Sequence, residues 1–68
     1  MTLLLCILLY LSVIFSPNEY TITQIEGYEQ ANQTQVDEIE NDSELSQQVY
    51  DAYYTQSQWI TIIDPGVQ

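Results

Sequence analysis

Ten carboxylates are the side chains of this 68-residue sequence that could act in acid–base or metal chemistry. A carboxylate that transfers protons needs a water-poor cleft that shifts its pKa, and so short a chain has little material to build one. The chain has no His to act as a base, and Cys6, its single thiol, lies in an apolar run. We therefore predict no enzymatic activity and no cofactor. The carboxylates belong to Glu19, Glu26, Glu29, Asp37, Glu38, Glu40, Asp42, Glu44, Asp51 and Asp64.

The alternating acidic residues that begin at Asp37 raise the question of a calcium site, because calcium takes oxygen ligands. An EF-hand loop has Gly at its sixth position and Glu at its twelfth. Counted from Asp37, those positions hold Asp42 and Gln48, and counted from Asp42 they hold Gln47 and Tyr53. Neither register fits, so the sequence predicts a solvated acidic surface and no metal site.

The absence of Lys, Arg and His restricts the partners that this chain can bind. The formal net charge is −10, with no basic side chain in the sequence. Contacts to nucleic-acid phosphates are made mainly by Lys and Arg, so we predict no nucleic-acid binding. Anionic lipid headgroups would repel the chain for the same reason. The favoured partners are protein subunits with basic or hydrophobic surfaces.

An apolar segment at residues 1–16 is the first element that would position these groups. Residues 3–15 contain a single polar side chain, Ser12, and Pro17 follows the segment. A helix over residues 1–16 would be about 24 Å long, whereas a membrane span needs about 20 residues and at least about 17. The segment is therefore short for a span, but nothing charged opposes its insertion.

Three interpretations of residues 1–16 compete. The leading one is an uncleaved membrane anchor that carries its acidic tail on the lumenal, periplasmic or extracellular side. The second is a signal peptide, whose apolar region is of this length but which normally starts with basic residues. The third is a buried core helix, which requires amphipathic helices elsewhere in the chain to cover it on every side. We predict the anchor, because no helix in the tail has an apolar face wide enough for that.

The acidic tail divides into three segments. Residues 17–42 read as a polar linker, and residues 43–57 as a short amphipathic helix that follows the cap-forming Asn41-Asp42-Ser43. Residues 58–68 form a hydrophobic contact segment that contains a β-like run and ends near the turn signal Asp64-Pro65-Gly66. The predicted fold class is therefore small and mainly α, with one apolar helix and a largely irregular tail. Such a chain would have no independent globular core.

Aromatic and β-branched residues near the C-terminus are the predicted partner contacts. Aromatic side chains with a polar tip are enriched in protein interfaces. An apolar strand of this kind pairs with another strand when its edge is exposed. The candidate contact residues are Tyr50, Tyr53, Tyr54, Trp59, Ile60, Ile62 and Ile63.

The combined features favour a small single-pass accessory or structural subunit of a larger membrane complex, which binds its partners through the tail. Two alternatives remain open at this point. One is a secreted acidic peptide released after cleavage of residues 1–16. The other is a soluble acidic inhibitor of a basic protein, which would mimic the charge of nucleic acid.

Overall fold

The first helix of the chain is the element around which the others are arranged. The structure, a computed structural model, describes residues 1–64. In chain order the elements are α1 (Thr2–Tyr10), β1 (Asn18–Thr21), α2 (Ile22–Ala31), α3 (Gln33–Glu40), α4 (Ser43–Ser57) and β2 (Ile60–Ile63). Their Cα radius of gyration is 11.7 Å, close to the about 11 Å expected for a compact chain of this length.

Helix α1 ends at Tyr10, well before the apolar run does, because the backbone reverses at Ser12. Ser12 has φ 61°, in the left-handed region. Its N–H donates to the carbonyl of Leu9, and the N–H of Val13 donates to the carbonyl of Leu8, both at 3.0 Å. This pair of bonds is the Schellman motif that closes many helices, usually with Gly at the left-handed position. Ile14 then returns to the core.

Helix α1 is buried on two opposite faces. Residues Leu5, Leu8 and Leu9 face one cluster, and Cys6 and Ile7 face another. The first cluster is completed by Ile14, Tyr20, Ile25 and Ile60, and the second by Val36, Ile39 and Val49. Each such side chain contributes roughly 1.5–3 kcal/mol when fully buried. A helix without a polar face is therefore held by elements that surround it.

Two of the three covering helices, α2 and α4, begin at side-chain caps. The Thr21 hydroxyl accepts from the N–H of Gln24 at 3.0 Å, and the Gln24 side-chain oxygen accepts from the N–H of Thr21 at 2.8 Å. This capping box starts α2. The Asp42 carboxylate accepts from the N–H of Leu45 at 3.1 Å and starts α4. Helices α2 and α4 each place one buried aliphatic residue against the core, Ile25 and Val49, and α3 places two, Val36 and Ile39.

Strands β1 and β2 form a two-stranded parallel sheet, within the part of the chain that is described. Asn18 is the register partner of Ile60, and Thr21 is the partner of Ile63. The three helices α2 to α4 make the connection between the strands. The sheet therefore joins the segment that follows α1 to the C-terminal end of the described chain, and Tyr20 and Ile60 are buried on its inner face.

This architecture contradicts the predicted fold class. The region expected to be an irregular tail supplies three helices and both strands, and it encloses α1 in a common core. The buried core helix, the interpretation that we had set aside, is the one that the structure has. Our prediction was wrong because the cover comes from single residues on several elements, such as Ile25, Val36 and Ile39, and no one helix has a broad apolar face.

The predicted single-pass membrane anchor at residues 1–16, and the membrane location with an exposed acidic tail, are likewise wrong. Helix α1 has nine residues, about 14 Å of helix against a hydrocarbon core of about 30 Å. Within residues 1–64, no helix combines the length and the apolar character that a membrane span requires. Cleavage after residue 16 would also remove α1 and Ile14 from the core, which leaves the secreted peptide without the helix on which its other elements pack.

The left-handed conformation of Ser12 predicts a stabilising substitution. Gly adopts this conformation freely, whereas an L-residue with a Cβ loses about 1–2 kcal/mol there. We expect Ser12→Gly to raise the free energy of unfolding by about 0.5–1 kcal/mol, part of the gain being offset by the greater freedom of Gly in the unfolded chain. Urea titration followed by circular dichroism measures this. Ser12→Ala, which removes the hydroxyl and keeps the Cβ, should show no such gain, and equal stabilities of the two variants would contradict the assignment.

Candidate partner-binding surface

The carboxylates lie on the outside of this fold. All ten are exposed except that of Glu29, which is half-buried. Because the chain has no Lys, Arg or His, none of them can form an ion pair with a side chain of the same molecule. The densest group is at the corner between α3 and α4, formed by Asp37, Glu38, Glu40, Asp42 and Glu44. The charge of the surface is therefore negative, with no basic side chain to compensate it.

Helix α4 brings three of the predicted contact residues together along its length. The rings of Tyr50 and Tyr54 lie 5.3 Å apart between centroids. Tyr53 makes an edge-to-face contact of 6.2 Å with Tyr10 of α1. Tyr54 is 44% exposed, whereas Tyr50 and Tyr53 are half-buried against the second core cluster. Of the three, only Tyr54 is exposed enough to offer its ring to a partner.

Shallow clefts flank this row of rings on α4. One, of about 310 Å³, is lined by Leu3, Glu40, Ser43, Ser46, Gln47 and Tyr50. The other has a similar volume of about 310 Å³ and is lined by Tyr10, Leu45, Gln48, Val49, Ala52 and Tyr53. Both are open to solvent, and neither encloses a carboxylate in a water-poor pocket. They offer contact area to a partner.

The junction of α4 and the sheet exposes the largest apolar side chains outside the chain terminus. Trp59 is 62% exposed and Phe15 is 63% exposed. Their segments are held side by side, because the Ser16 hydroxyl donates to the carbonyl of Gln56 at 2.9 Å and the N–H of Asn18 donates to the carbonyl of Trp59 at 3.4 Å. Two exposed aromatic residues far apart in sequence therefore lie on adjacent segments. We call Phe15 and Trp59, with the segments that carry them, the aromatic end.

The C-terminal candidates divide between core and surface. Ile60 is buried and Ile62 is half-buried, so both take part in the protein's own packing. Trp59 and Ile63 are exposed, Ile63 at 43%. Residues 65–68, the end of the predicted contact segment, lie outside the described part of the chain. Contact with a partner stays a prediction for Tyr54, Trp59 and Ile63. The other four candidate residues have structural contacts within the fold.

Phe15 was missed by the sequence reasoning because it was assigned to the apolar anchor. The available signal was Pro17, which follows Phe15 closely and opposes a continuous helix. A helix that ends before Ser12 leaves Phe15 on a loop. On a loop, the burial of Phe15 depends on tertiary contacts, and the residue is 63% exposed.

Cys6 is fully buried in the core, with its Sγ 4.0 Å from the carbonyl oxygen of Tyr50. Burial raises the pKa of the thiol, and weaker hydrogen bonds with Ser57 and with its own backbone act in the opposite direction. A thiol held neutral and out of solvent is a packing group, because the thiolate is the reactive form.

No metal site emerges from the described residues, which contain no cluster of three or more His, Cys, Asp or Glu side chains suited to hold an ion. The comparisons with known proteins add no assignment: the chain matches no family model, no curated protein and no solved structure. Any functional conclusion must therefore come from the surface itself.

The raised pKa of Cys6 predicts a loss of stability in alkaline solution. An unfolded Cys titrates near about 8.5, so above that pH the unfolded chain loses a proton that the folded chain retains. The free energy of unfolding should then fall as the pH rises, with a slope of at most about 1.4 kcal/mol per pH unit. Urea titrations between neutral pH and pH about 9.5 measure this slope. The Cys6→Ala variant should differ from the wild type by a constant free energy of unfolding at lower pH and should lack the slope at higher pH. Parallel curves of unfolding free energy against pH for the two proteins would contradict the prediction.

Proposed function

We propose that this chain is a small, non-enzymatic accessory protein that binds a basic surface of a protein partner. The observation that carries the proposal is the combination of a net charge of −10 without one basic side chain and two exposed aromatic residues, Phe15 and Trp59, on adjacent segments. The charge selects the partner, and the aromatic end supplies contact area.

The charge supports a basic partner on kinetic and energetic grounds. A surface of one sign steers an oppositely charged partner and repels wrong ones. On this protein the attraction is not reduced by ion pairs with basic side chains, since the sequence contains no Lys, Arg or His. A basic partner would also relieve the repulsion among the carboxylates at the corner between α3 and α4.

The aromatic end supports a defined contact in addition to general attraction. Trp and Tyr are the residues most enriched at energetic hot spots of protein interfaces. Trp59 and Phe15 lie outside the two core clusters, so their exposure serves no packing role within the described fold. Their position next to β2 places apolar contact area beside a strand.

The alternative of an acidic inhibitor, which occupies the nucleic-acid site of a basic protein, is a special case of the same proposal. Both functions require a basic partner. They differ in whether binding of this protein blocks the partner's nucleic-acid site. Competition between this protein and nucleic acid for the captured partner distinguishes the inhibitor from an accessory subunit.

A carbodiimide cross-linking experiment tests the proposal with unusual selectivity. The reagent joins carboxylates to amines, and this chain has ten carboxylates and no Lys. Apart from the Met1 amino group, it therefore has no amine for self-linking, so adducts through its carboxylates report a Lys-bearing partner. We expect an adduct in extracts of the cells that express the protein. Its yield should fall at high salt, because the Debye length shrinks from about 10 Å at 0.1 M to about 3 Å at 1 M.

Matched variants identify the surface that is used. Trp59→Ala should reduce the adduct severalfold, because truncation of an interface Trp is costly. Gln35→Ala on the exposed side of α3 should leave it unchanged. Equal yields from all three proteins, or adducts that persist unchanged at 1 M salt, would refute the proposed binding mode.

A further inference from the structure

We propose that the outer edge of β2 is a docking site for an extended, basic segment of the partner, which adds a third strand to the sheet. This inference rests on the proposed function and names the element that would receive the partner.

The sheet register determines which backbone groups of β2 face away from β1. In a parallel pair, a residue bonds to the residues before and after its register partner. Asn18 is the register partner of Ile60, and its N–H donates to the carbonyl of Trp59. Thr61 and Ile63 therefore direct their backbone groups toward β1. The N–H and C=O groups of Ile60 and Ile62 lie on the opposite, outer side.

The outer edge of β1, in contrast, is already occupied by side chains. Its outward N–H groups belong to Glu19 and Thr21. The first donates to the Asn18 side-chain oxygen at 2.9 Å, and the second donates to the Gln24 side-chain oxygen at 2.8 Å. Pro17 also precedes this strand. Within residues 1–64, no comparable side chain bonds to the outward N–H groups of β2.

The composition of β2 does not prevent another strand from pairing with its outer edge. Natural proteins protect edge strands with Lys, other charges, Pro or bulges. Strand β2 reads Ile-Thr-Ile-Ile, with high β-propensity and no charge. Thr61 is exposed and Ile63 is 43% exposed, and the exposed ring of Trp59 comes directly before the strand. An added strand could therefore bond to the outward backbone groups of β2 and contact the exposed side chains of Trp59 and Ile63 at the two ends of the strand.

The charge of the molecule selects the occupant of the edge. A second copy would bring together two chains that each carry −10, a repulsion that opposes pairing. An extended segment that contains Lys or Arg gains attraction from the same charge, and its ladder hydrogen bonds need no particular side chain. The observations thus favour a basic segment over self-association.

Trp59, the single Trp of the chain, provides a direct probe of this edge. The full-length protein is titrated with a short peptide that alternates Lys and Val, and its fluorescence is recorded. The control is a peptide of the same length and charge that alternates Lys and Pro. It has half the N–H donors, and its Pro residues hold φ near about −65°, away from the about −120° to −140° of a β-strand. We expect a blue shift and binding at least about tenfold tighter for the Lys-Val peptide, from the loss of two or more ladder bonds in the control.

A pair of variants locates the binding. Thr61→Lys places a positive charge beside the edge, opposite Glu19 in the register, and should weaken binding of the Lys-Val peptide about threefold or more. Thr34→Lys makes the same change at an exposed position on α3 and should have a smaller effect. Circular dichroism of both variants verifies that the fold is kept.

The outcomes separate this inference from the proposed function. Equal, salt-sensitive binding of both peptides would overturn the edge site and leave the proposed binding of a basic surface intact. Binding of neither peptide would overturn the edge site and count against the charge argument as well. A blue shift that grows with protein concentration alone would assign the edge to a second copy and overturn the proposal.

Discussion

The structure depends on the need to cover a short helix that has no polar side. Five consecutive residues of α1, Leu5 to Leu9, are buried. Consecutive residues point in directions about 100° apart around a helix, so such a run can be buried only if neighbours lie on every side. Helices α2, α3 and α4 and the sheet meet this requirement together. No one of them would have a core without α1.

The same constraint explains how so acidic a chain holds a compact shape. Repulsion among the carboxylates opposes compaction, and the protein has no basic side chains to offset it. The stabilising contribution must then come from apolar burial, which is concentrated on α1 and the residues around it. The carboxylates are left on the outside, where solvent screens them and where a basic partner can reach them.

Local patterns in the sequence predict several features of this fold. Its long-range contacts cannot be predicted from any local pattern. The cap-forming residues before Ser43 mark the start of α4, and the exposed Trp59 belongs to the group of candidate contacts. The end of α1 could not be placed, because Ser12 takes a conformation usually occupied by Gly. The pairing of Asn18 with Ile60 joins residues far apart in sequence, and no local pattern specifies it. The apolar segment was misassigned because its cover is dispersed over the rest of the chain.

Amide hydrogen exchange of residues Leu5 to Leu9 tests the central claim, that α1 is the core of this protein, most directly. In aqueous buffer without lipid or detergent, these amides should be among the slowest to exchange, because they open only when the whole fold does. Their exchange should stay unchanged when micelles are added. Rapid exchange in buffer, with protection acquired only in micelles, would contradict the account and return α1 to the membrane.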